Sequence, residues 1–398
     1  MKITEALMNK YKDRLTAIRR DLHMYPELSF KEFRTTEKIK ALLEELDIDV
    51  LDMGIETGVV GLLKGAENGP TIALRGDIDA LPIQEENEVP YKSKIAGVMH
   101  ACGHDTHTTS LLGAAMILAE LRHQLKGNVK FIFQPAEEIN KGAKLLVEKG
   151  VMENPTVDAI FGLHNHPDIP VGKVGLKLGG LMAAVDTIRI EVDGVGGHGA
   201  IPNKTIDPIL AGSAIVMGLQ SIVSRNVNPL EAAVVSIGTM NAGIANNVIP
   251  EKVIMTGTVR SFKKEIQEKL PELLRRSIEN TAAAYGASAR LDYLFDLPAV
   301  FNEREMYDIG KTVVSDICGE NGMVDPTPSM GGEDFSIYTE LAPGCFYWLG
   351  VGNPEKGCMY QWHNPRFDAD EDALIIGSAV LAQSAINAME HFIDIKQK

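Results

Sequence analysis

The sequence predicts an α/β protein in which a smaller α+β domain of the ferredoxin-like pattern interrupts a larger domain. At 398 residues, the chain exceeds the usual length of a single domain. Short apolar runs alternate with helical stretches near both ends, whereas the middle follows the order β-α-β-β-α-β. We therefore predict the first part of the larger domain over residues 1–182, the inserted domain over 183–296 and the second part over 297–398.

The first part of the larger domain opens with two amphipathic helices, predicted within residues 4–46 and broken near 23–26. Short apolar runs then predict strands, separated by helical stretches at 108–125 and 142–148; the strands lie at 58–63, 71–74, 129–133 and 159–163. In α/β sheets, ligands gather in the loops that follow the strands, so residues just past these runs are the candidates for chemistry.

The middle of the chain predicts a unit inserted into the larger domain. Its strands are expected at 186–192, 232–238, 252–260 and 289–295, and its helices at 208–225 and 264–285. A segment of roughly 110 residues is long enough to fold as a unit. After it, a strand at 345–349 and a helix at 371–391 return to the α/β pattern.

Composition and charge exclude several classes of protein. Hydrophobic residues make up 45% of the chain and charged residues 23%, as in ordinary globular domains, so a sizeable core can form. The formal net charge of -15 opposes binding to nucleic acid or anionic lipid. We find neither a signal peptide nor a continuous apolar run that would span a bilayer, and we expect a cytoplasmic protein without nucleic-acid or membrane partners.

The cysteines indicate reduced thiols. Cys102, Cys318, Cys345 and Cys358 are too few and too scattered for a disulfide scaffold, which agrees with a cytosolic location. Pairing among the last three stays open at this point.

The densest group of chemical side chains lies in residues 99–107, MHACGHDTH. A thiolate and a neutral imidazole, here Cys102 and His104, are good ligands for Zn²⁺ and related ions. The glycine between them permits a tight turn that directs both side chains to one centre. The alternative is that these residues only cap a helix or fill buried polar positions.

A second group, Glu137 and Glu138, follows the strand predicted at 129–133. Adjacent carboxylates can divide two roles, because one can bind a metal while its neighbour acts as general base on a water molecule. On its own, a Glu-Glu pair is usually solvated surface. Its place after an apolar strand, together with the cysteine and histidine group, favours the functional interpretation.

Two further histidines, His164 and His363, lie in segments that end in proline, LHNHP and QWHNP. A lone histidine before a proline is more often an ordinary loop residue than a metal ligand. Together with the first two groups, however, these histidines supply the remaining ligands that a site for two metal ions needs.

These segments, with RGDIDALP at 75–82, resemble the dinuclear metallopeptidase and amidohydrolase family of bacterial aminoacylases, hippurate hydrolases, N-acetyldiaminopimelate deacetylases and plant auxin-conjugate hydrolases. The resemblance spans nearly the whole chain. It implies a zinc-peptidase-like catalytic domain with an inserted lid and dimerisation domain. It also implies Glu137 as general base, Asp77 and Asp79 as supporting residues, and Cys102 as the ligand between two metals, with the other ligands being His104, Glu138, His164 and His363.

The inserted domain contributes a catalytic residue, His198, and the substrate-binding residues that this resemblance implies. His198 is expected to donate to the substrate carbonyl oxygen, and Asn247 and Arg260 to hold the substrate carboxylate. The family commonly dimerises through this domain, so a homodimer or a higher homo-oligomer is expected. Where the family often has a histidine after a proline, this chain has Asn203, which puts any role of that side chain in doubt.

The resemblance implies an enzyme that removes the acyl group from N-acyl-L-amino acids by attack of a metal-bound hydroxide. Two divalent ions per chain are expected, first Zn²⁺ or Mn²⁺, with Co²⁺ or Ni²⁺ also compatible with the ligands. A carboxypeptidase or dipeptidase using the same ions is the alternative, and a non-catalytic metal-dependent binding protein is a more remote one.

Apart from His198, the histidines outside this ligand set are expected to be structural or to lie at the surface. The three that flank the ligands are expected to support them; they are His100, His107 and His166. The others are expected at the surface; they are His23, His123 and His391.

Overall fold

The computed structural model describes residues 1–396 and divides the chain into two compact units. The first unit comprises Met1–Gly179, Phe301–Thr327 and the chain from Asp334 onward, and the second comprises Gly180–Val300 and Pro328–Glu333. The predicted boundaries at 183 and 296 differ from these limits by a few residues. The sequence did not assign residues 328–333 to the inserted domain; in the structure their backbone is bonded to the start of the second unit, where Ser329 N–H donates to Leu181 O at 2.9 Å.

Ten α-helices lie within residues 1–396: Glu5–Lys10 (α1), Lys12–Met24 (α2), Phe33–Glu45 (α3), His104–Glu120 (α4), Gly142–Glu148 (α5), Pro208–Asn226 (α6), Lys264–Ala284 (α7), Arg304–Cys318 (α8), Phe335–Thr339 (α9) and Ala373–Lys396 (α10). Sixteen β-strands lie within the same residues: Asp49–Leu51 (β1), Val59–Lys64 (β2), Glu67–Asp77 (β3), Lys126–Gln134 (β4), Ala159–Pro170 (β5), Val174–Gly175 (β6), Gly179–Met182 (β7), Ala184–Asp193 (β8), Gly197–His198 (β9), Ala233–Ala242 (β10), Val248–Ile249 (β11), Lys252–Ser261 (β12), Ser288–Leu297 (β13), Val300–Asn302 (β14), Met323–Val324 (β15) and Gly344–Gly352 (β16).

The first unit is built on an eight-stranded sheet with the order β1-β2-β4-β3-β5-β16-β6-β15. Its central strands β4, β3, β5 and β16 run parallel to one another, whereas β1 and β2 form an antiparallel edge. Parallel strands bring their carboxyl ends to one edge of the sheet. Asp77 at the end of β3 therefore lies directly opposite Gln134 at the end of β4. The predicted α/β class is confirmed.

Helix α4 lies almost entirely inside the first unit, since every residue from His104 to Leu118 is buried, including the polar residues of its first two turns. Such a helix needs neighbours on all sides. Residues of α2 and α10 and of the central strands join it in one hydrophobic core, which includes Leu22, Leu74 and Leu381.

The second unit is a ferredoxin-like fold. Its four-stranded antiparallel sheet has the order β10-β12-β8-β13, and α6 and α7 pack on one face around a separate hydrophobic core that includes Ile190, Ile215 and Leu274. A small additional pair, β9 and β11, places His198 opposite Val248. The predicted β-α-β-β-α-β order is therefore present: the four strands form one sheet, and the two helices pack on it.

Several elements differ in extent from the sequence expectation. Three helices rather than two precede β1, and α8 lies in a stretch for which no helix was predicted. Helix α4 begins at His104, four residues before the predicted start, because Gly103 takes a left-handed backbone conformation with φ 81° and turns the chain into the helix. The candidate ligand His104 consequently lies in the first helical turn.

Among residues 1–396, two helices, α6 and α10, are long and apolar enough to cross a bilayer. The sequence analysis did not predict them as candidate membrane spans. In α10, 78% of the apolar window is buried, as in the core helix of a soluble protein, whereas the figure for α6 is 33%. Length and composition alone are weak evidence for a membrane span.

Candidate metal centre

The five predicted ligands converge at the carboxyl edge of the first unit's sheet. They form two groups that share Cys102, and within each group the donor atoms lie within 4.8 Å of one another; the groups are Cys102, His104 and His164, and Cys102, Glu138 and His363. Cys102 Sγ lies 3.4 Å from His164 Nε2. Glu138 places one carboxylate oxygen 3.7 Å from His104 Nε2 and the other 3.6 Å from His363 Nε2.

These separations suit metal ligands. Bonds of about 2.1–2.3 Å in tetrahedral geometry hold neighbouring ligands roughly 3.4–3.8 Å apart. Two of the donor atoms, His104 Nε2 and Glu138 Oε1, are buried and have no hydrogen-bond partner among the described residues. A buried polar atom without a partner is costly, and a divalent cation would satisfy both atoms. The residues therefore fit a pair of divalent ions, with Cys102 common to both groups of donors.

Hydrogen bonds orient the two buried imidazoles toward the centre of the site. His104 Nδ1 lies 3.2 Å from Asp79 Oδ1, and His164 Nδ1 lies 2.8 Å from the backbone oxygen of Asn165. Both partners can only accept hydrogen bonds, so each Nδ1 carries the proton. In the neutral form of each ring, the Nε2 lone pair is left for a metal, as in other sites where an outer acceptor fixes the ligand's tautomer.

Asp79 also holds the loop that carries the two glutamates. Its Oδ1 accepts the backbone N–H of Glu137 at 3.1 Å, and its Oδ2 accepts that of Glu138 at 3.2 Å. One buried carboxylate thus fixes a histidine and both adjacent glutamates relative to one another. This contact agrees with the supporting role expected for Asp79.

His107 and Asn165 form the support beneath Cys102. The backbone N–H of Asn165 donates to His107 Nε2 at 2.8 Å, so the proton of His107 lies on Nδ1 and is donated to Asp77 Oδ1 at 2.6 Å. Both ring nitrogens of His107 are therefore engaged, which explains why this histidine supports the site although it lies close enough to be a ligand.

Asn165 was missed by reasoning from the sequence. Its amide nitrogen donates to Cys102 O at 2.5 Å, and its amide oxygen accepts the indole N–H of Trp362 at 3.0 Å. It therefore ties the Cys102 segment to the segment that carries His363. Its position between two histidines was the only signal in the sequence, and that position does not reveal which segments it joins.

Burial and mutual proximity shift the titration of the donor groups. Burial, aided by the Glu138 carboxylate, raises the pKa of Cys102 well above its usual range. Burial also raises the pKa of Glu138 to about 7 and holds that of His164 well below its usual range. Burial opposes protonation of His104, but Asp77 and Cys102 outweigh it and raise its pKa. Burial thus disfavours the anionic forms of Cys102 and Glu138, which a nearby cation would stabilise.

His363 reaches the site from an exposed loop. Its backbone has φ 63°, which is uncommon outside glycine, and its N–H donates to Ala101 O at 2.8 Å. This backbone bond places the imidazole beside Cys102, although 56% of its side chain remains exposed. The strained conformation is held by the neighbouring segment, as is typical of functional positions.

His198, predicted to be catalytic, and Asn247 and Arg260, predicted to bind the substrate, lie in the second unit. His198 and Asn247 are neighbours, because Gly199 N–H donates to Asn247 O at 2.8 Å. Ala200 N–H donates to His198 Nδ1 at 3.0 Å, so a neutral His198 carries its proton on Nε2. Arg260 is half-buried and donates to Val259 O. Their contacts with a substrate stay predictions.

Two expectations from the sequence are corrected or settled by the structure. His23 is fully buried rather than at the surface, because its ring lies between the carboxylates of Asp105 and Glu85, at 2.8 and 3.3 Å. All four cysteines are free thiols, so no pairing occurs among Cys318, Cys345 and Cys358.

The chain is similar to known proteins over nearly its full length. It is 48% identical over 378 residues to an N-acetylcysteine deacetylase of Bacillus subtilis, covering 95% of this chain and 97% of that protein. It is 38% identical over 393 residues to thermostable carboxypeptidase 1 of Saccharolobus solfataricus, covering 97% and 99% of the two chains. A Bacillus subtilis crystal structure described as a dinuclear metal-binding peptidase of the M20 family superposes with a TM-score of 0.85 and 45% identity, covering 96% of this chain and 99% of that one.

The family can be assigned from these similarities. The profile of the peptidase family M20/M25/M40 matches residues 73–387, which include all five candidate ligands. The resemblance noted in the sequence is confirmed, and the chain belongs to the peptidase family M20/M25/M40.

Proposed function

We propose that this protein is a metal-dependent amidohydrolase that removes the acyl group from N-acyl-L-amino acids. The observation that carries the proposal is the pair of donor groups sharing Cys102, with Glu137 directly beside them. The name of the deacetylase relative supports an N-acyl amino acid as the substrate class. N-acetylcysteine is accordingly the first compound to test.

We propose that two divalent ions bind here, held by the five residues Cys102, His104, Glu138, His164 and His363. The mixed thiolate, imidazole and carboxylate set favours Zn²⁺ or Mn²⁺ and accommodates Co²⁺ or Ni²⁺. Bound ions would lower the pKa of water and stabilise negative charge on the substrate's carbonyl oxygen.

Glu137 is proposed as the general base. Its Oε2 lies 3.9 Å from His104 Nε2, and only 8% of the residue is exposed. The hydrogen bond from its backbone N–H to Asp79 fixes where the carboxylate can reach. In this position Glu137 takes a proton from the attacking water and returns it to the leaving amine.

His198 is proposed to donate a hydrogen bond from Nε2 to the substrate's carbonyl oxygen, since Nδ1 is already occupied by Ala200 N–H. Asn247 and Arg260 are proposed to hold the substrate carboxylate, an anion that a guanidinium binds well. Replacing His198 with Ala is expected to lower kcat by about 100-fold and leave the metal content unchanged. An unaltered kcat would remove His198 from the reaction.

The test of function combines metal analysis with hydrolysis. Purified protein is expected to hold two ions per chain and to release the free amino acid from N-acetylcysteine and other N-acetyl amino acids, with activity lost on chelation and restored by Zn²⁺ or Mn²⁺. Glu137→Gln should keep both ions and reduce kcat by at least about 1,000-fold. Exposed Glu148→Gln is the matched control and should behave as wild type. Metal-loaded protein that hydrolyses no N-acyl amino acid would contradict the proposal.

A carboxypeptidase or dipeptidase is the second candidate, favoured by the similarity to a thermostable carboxypeptidase. The amide bond and the C-terminal carboxylate are common to both substrate classes. A panel of N-acetyl-, benzoyl- and benzyloxycarbonyl-amino acids beside free dipeptides separates them. Higher kcat/KM for free dipeptides would replace the first candidate with the second.

We propose further that two copies associate through the second unit. Strand β10 is the outermost strand of its sheet, and Leu210 and Met217, one face of α6, are 55% and 74% exposed. Exposed apolar side chains beside an open strand edge suit a symmetric partner. Light scattering is expected to give a dimer that Met217→Glu dissociates and the control Arg276→Glu leaves intact. A monomeric wild type would reject the dimer. A location in the cytoplasm stays a prediction.

A further inference from the structure

The loop that carries the proposed general base is held by a buried residue of the segment between α2 and α3. We infer that Glu32 is a positioning residue for Glu137, acting through the backbone of Ala136. This inference rests on the proposed function of Glu137. It concerns a segment, residues 27–32, that no sequence motif singled out.

Three consecutive backbone N–H groups of the loop each donate to a buried carboxylate. Glu32 Oε1 accepts from Ala136 at 2.9 Å, while Asp79 accepts from Glu137 at 3.1 Å and from Glu138 at 3.2 Å. The bond to Glu32 is the first of this series along the chain. Glu32 therefore sets the direction in which the chain enters Glu137.

Ala136 needs such an external contact because its backbone is in the left-handed region, with φ 53°. This region is unfavourable for a residue with a side chain and persists only where the surroundings enforce it. The carbonyl of Ala136 accepts from Gly142 N–H at 3.1 Å, so both backbone polar groups of Ala136 are held. Loss of the hydrogen bond from Ala136 N–H to Glu32 would leave only the Ala136 carbonyl held.

Capping of the following helix does not explain the Glu32 side chain. Although Glu32 is the residue before α3, its side chain makes no capping bond. The Glu27 carboxylate caps this helix instead, accepting the N–H groups of Arg34 at 3.0 Å and Thr35 at 2.8 Å. The Glu32 carboxylate is therefore directed entirely to the interior, where it is fully buried.

The rest of the same segment contacts the neighbouring Asp79 loop. Ser29 donates its hydroxyl to Asp79 Oδ2 at 2.7 Å, and Ala80 N–H donates to Glu27 O at 2.8 Å. Burial, with the Asp79 carboxylate as a further cause, raises the pKa of Glu32 to about 7. Burying this carboxylate costs free energy, which its hydrogen bond from Ala136 N–H partly offsets. Residues 27–32 thus brace both of the loops that surround Glu137.

Two substitutions separate the contact from the charge. Glu32→Asp keeps the carboxyl group but is one methylene too short to reach Ala136 N–H, whereas Glu32→Gln loses the charge and keeps an accepting oxygen at the same reach. Hydrogen exchange of the peptide 134–142 and the kinetics on N-acetylcysteine are measured for both, together with metal content.

We expect Glu32→Asp to exchange faster in this peptide and to lose roughly 10- to 100-fold in kcat, with KM within about threefold and two ions retained. Glu32→Gln should resemble wild type in both measurements. Leu43→Ala, a fully buried apolar position of α3, is the control for lost stability and should leave kcat unchanged.

Wild-type exchange and kcat in Glu32→Asp would overturn the inference, as would Glu32→Gln failing as severely as Glu32→Asp. The proposed function fails separately, if the wild-type protein hydrolyses no N-acyl amino acid. In that event the exchange measurements still decide whether Glu32 holds the loop.

Discussion

At the scale of single residues, the buried charges around His23 link the stability of the fold to pH. The ring contacts Asp105 at 2.8 Å and Glu85 at 3.3 Å and lies near Arg19, Tyr91 and His100. Burial and Arg19 lower the pKa of His23, but Asp105 and Glu85 outweigh them and raise it to about 9. The His23 ring is therefore protonated in the folded protein at neutral pH.

The sign of the pH dependence follows from this raised pKa. The stabilisation by protonated His23 is fully present below its unfolded pKa near 6.5 and is lost as the pH rises through about 9. In urea unfolding at pH 6, 7.5 and 9, we expect the stability advantage of wild type over His23→Gln to shrink across this window. Exposed His123→Gln serves as the control. A constant difference across the three pH values would show that His23 is not charged in the fold.

Cys102 is the one residue common to both donor groups, so its replacement tests them together. Cys102→Ala is expected to reduce bound metal from two ions to one or none per chain, as measured by mass spectrometry, because neither group keeps its three donors. Cys318→Ala removes a thiol that belongs to neither group and should keep both ions. Two ions retained without the Cys102 thiolate would argue against a shared ligand.

The residues that bind were easier to predict than the residues that support them. Cysteine, histidine and glutamate stand out in a sequence by their chemistry, and their clustering at 102–107 and 137–138 was visible without a structure. Asn165 and Glu32 belong to no such cluster of metal-binding residue types. Their importance lies in which backbone groups they reach, and that is determined by tertiary contacts between residues 63 and 104 positions apart in the chain.

At the scale of elements, the start of α4 depends on Gly103. Its φ is 81°, and a Cβ built there would approach the side-chain nitrogen of Asn165 to 2.4 Å. Gly97 has a similar φ of 73°, but a Cβ added there would meet no other atom within 4 Å. Replacing Gly97 with Ala therefore measures only the free-energy cost of the left-handed backbone. We expect Gly97→Ala to lower the free energy of unfolding by about 1 kcal/mol.

Gly103→Ala should cost more, about 2–4 kcal/mol, because the displaced Asn165 also loses its bond to Cys102 O. It should also weaken metal binding, which Gly97→Ala should not. Calorimetry and metal titration measure the two effects. Equal losses in both variants would show that Asn165 moves aside without consequence.

The strands of the sheet were predictable because their apolar runs are short and bounded by polar segments, as at β4 and β5. The residues at which each strand begins and ends could not be predicted. Strand β3 extends to Asp77, beyond the predicted 71–74, since hydrogen bonds to β4 continue past the apolar residues. Helix α8 was missed although it is amphipathic, with Met306, Val313 and Val314 buried on one face.

At the scale of the whole molecule, the chain has separate hydrophobic cores in its two units. All five candidate ligands lie in the first unit, so ligand binding that stabilises only the native state should stabilise that unit. The family and fold class predicted from the sequence are confirmed, and the family similarity extends across both units.

We expect two unfolding transitions in calorimetry of the metal-loaded protein, of which chelation lowers only one. Leu381→Ala, in the core of the first unit, should lower the chelation-sensitive transition, and Leu274→Ala, in the core of the second, should lower the other. Each truncation of a fully buried leucine removes about 2–5 kcal/mol from the stability of its own core. The leucines are matched in type and burial, so the difference between the variants reports on the unit rather than on the substitution. A single transition that both substitutions and chelation lower alike would mean that the two cores unfold as one cooperative structure.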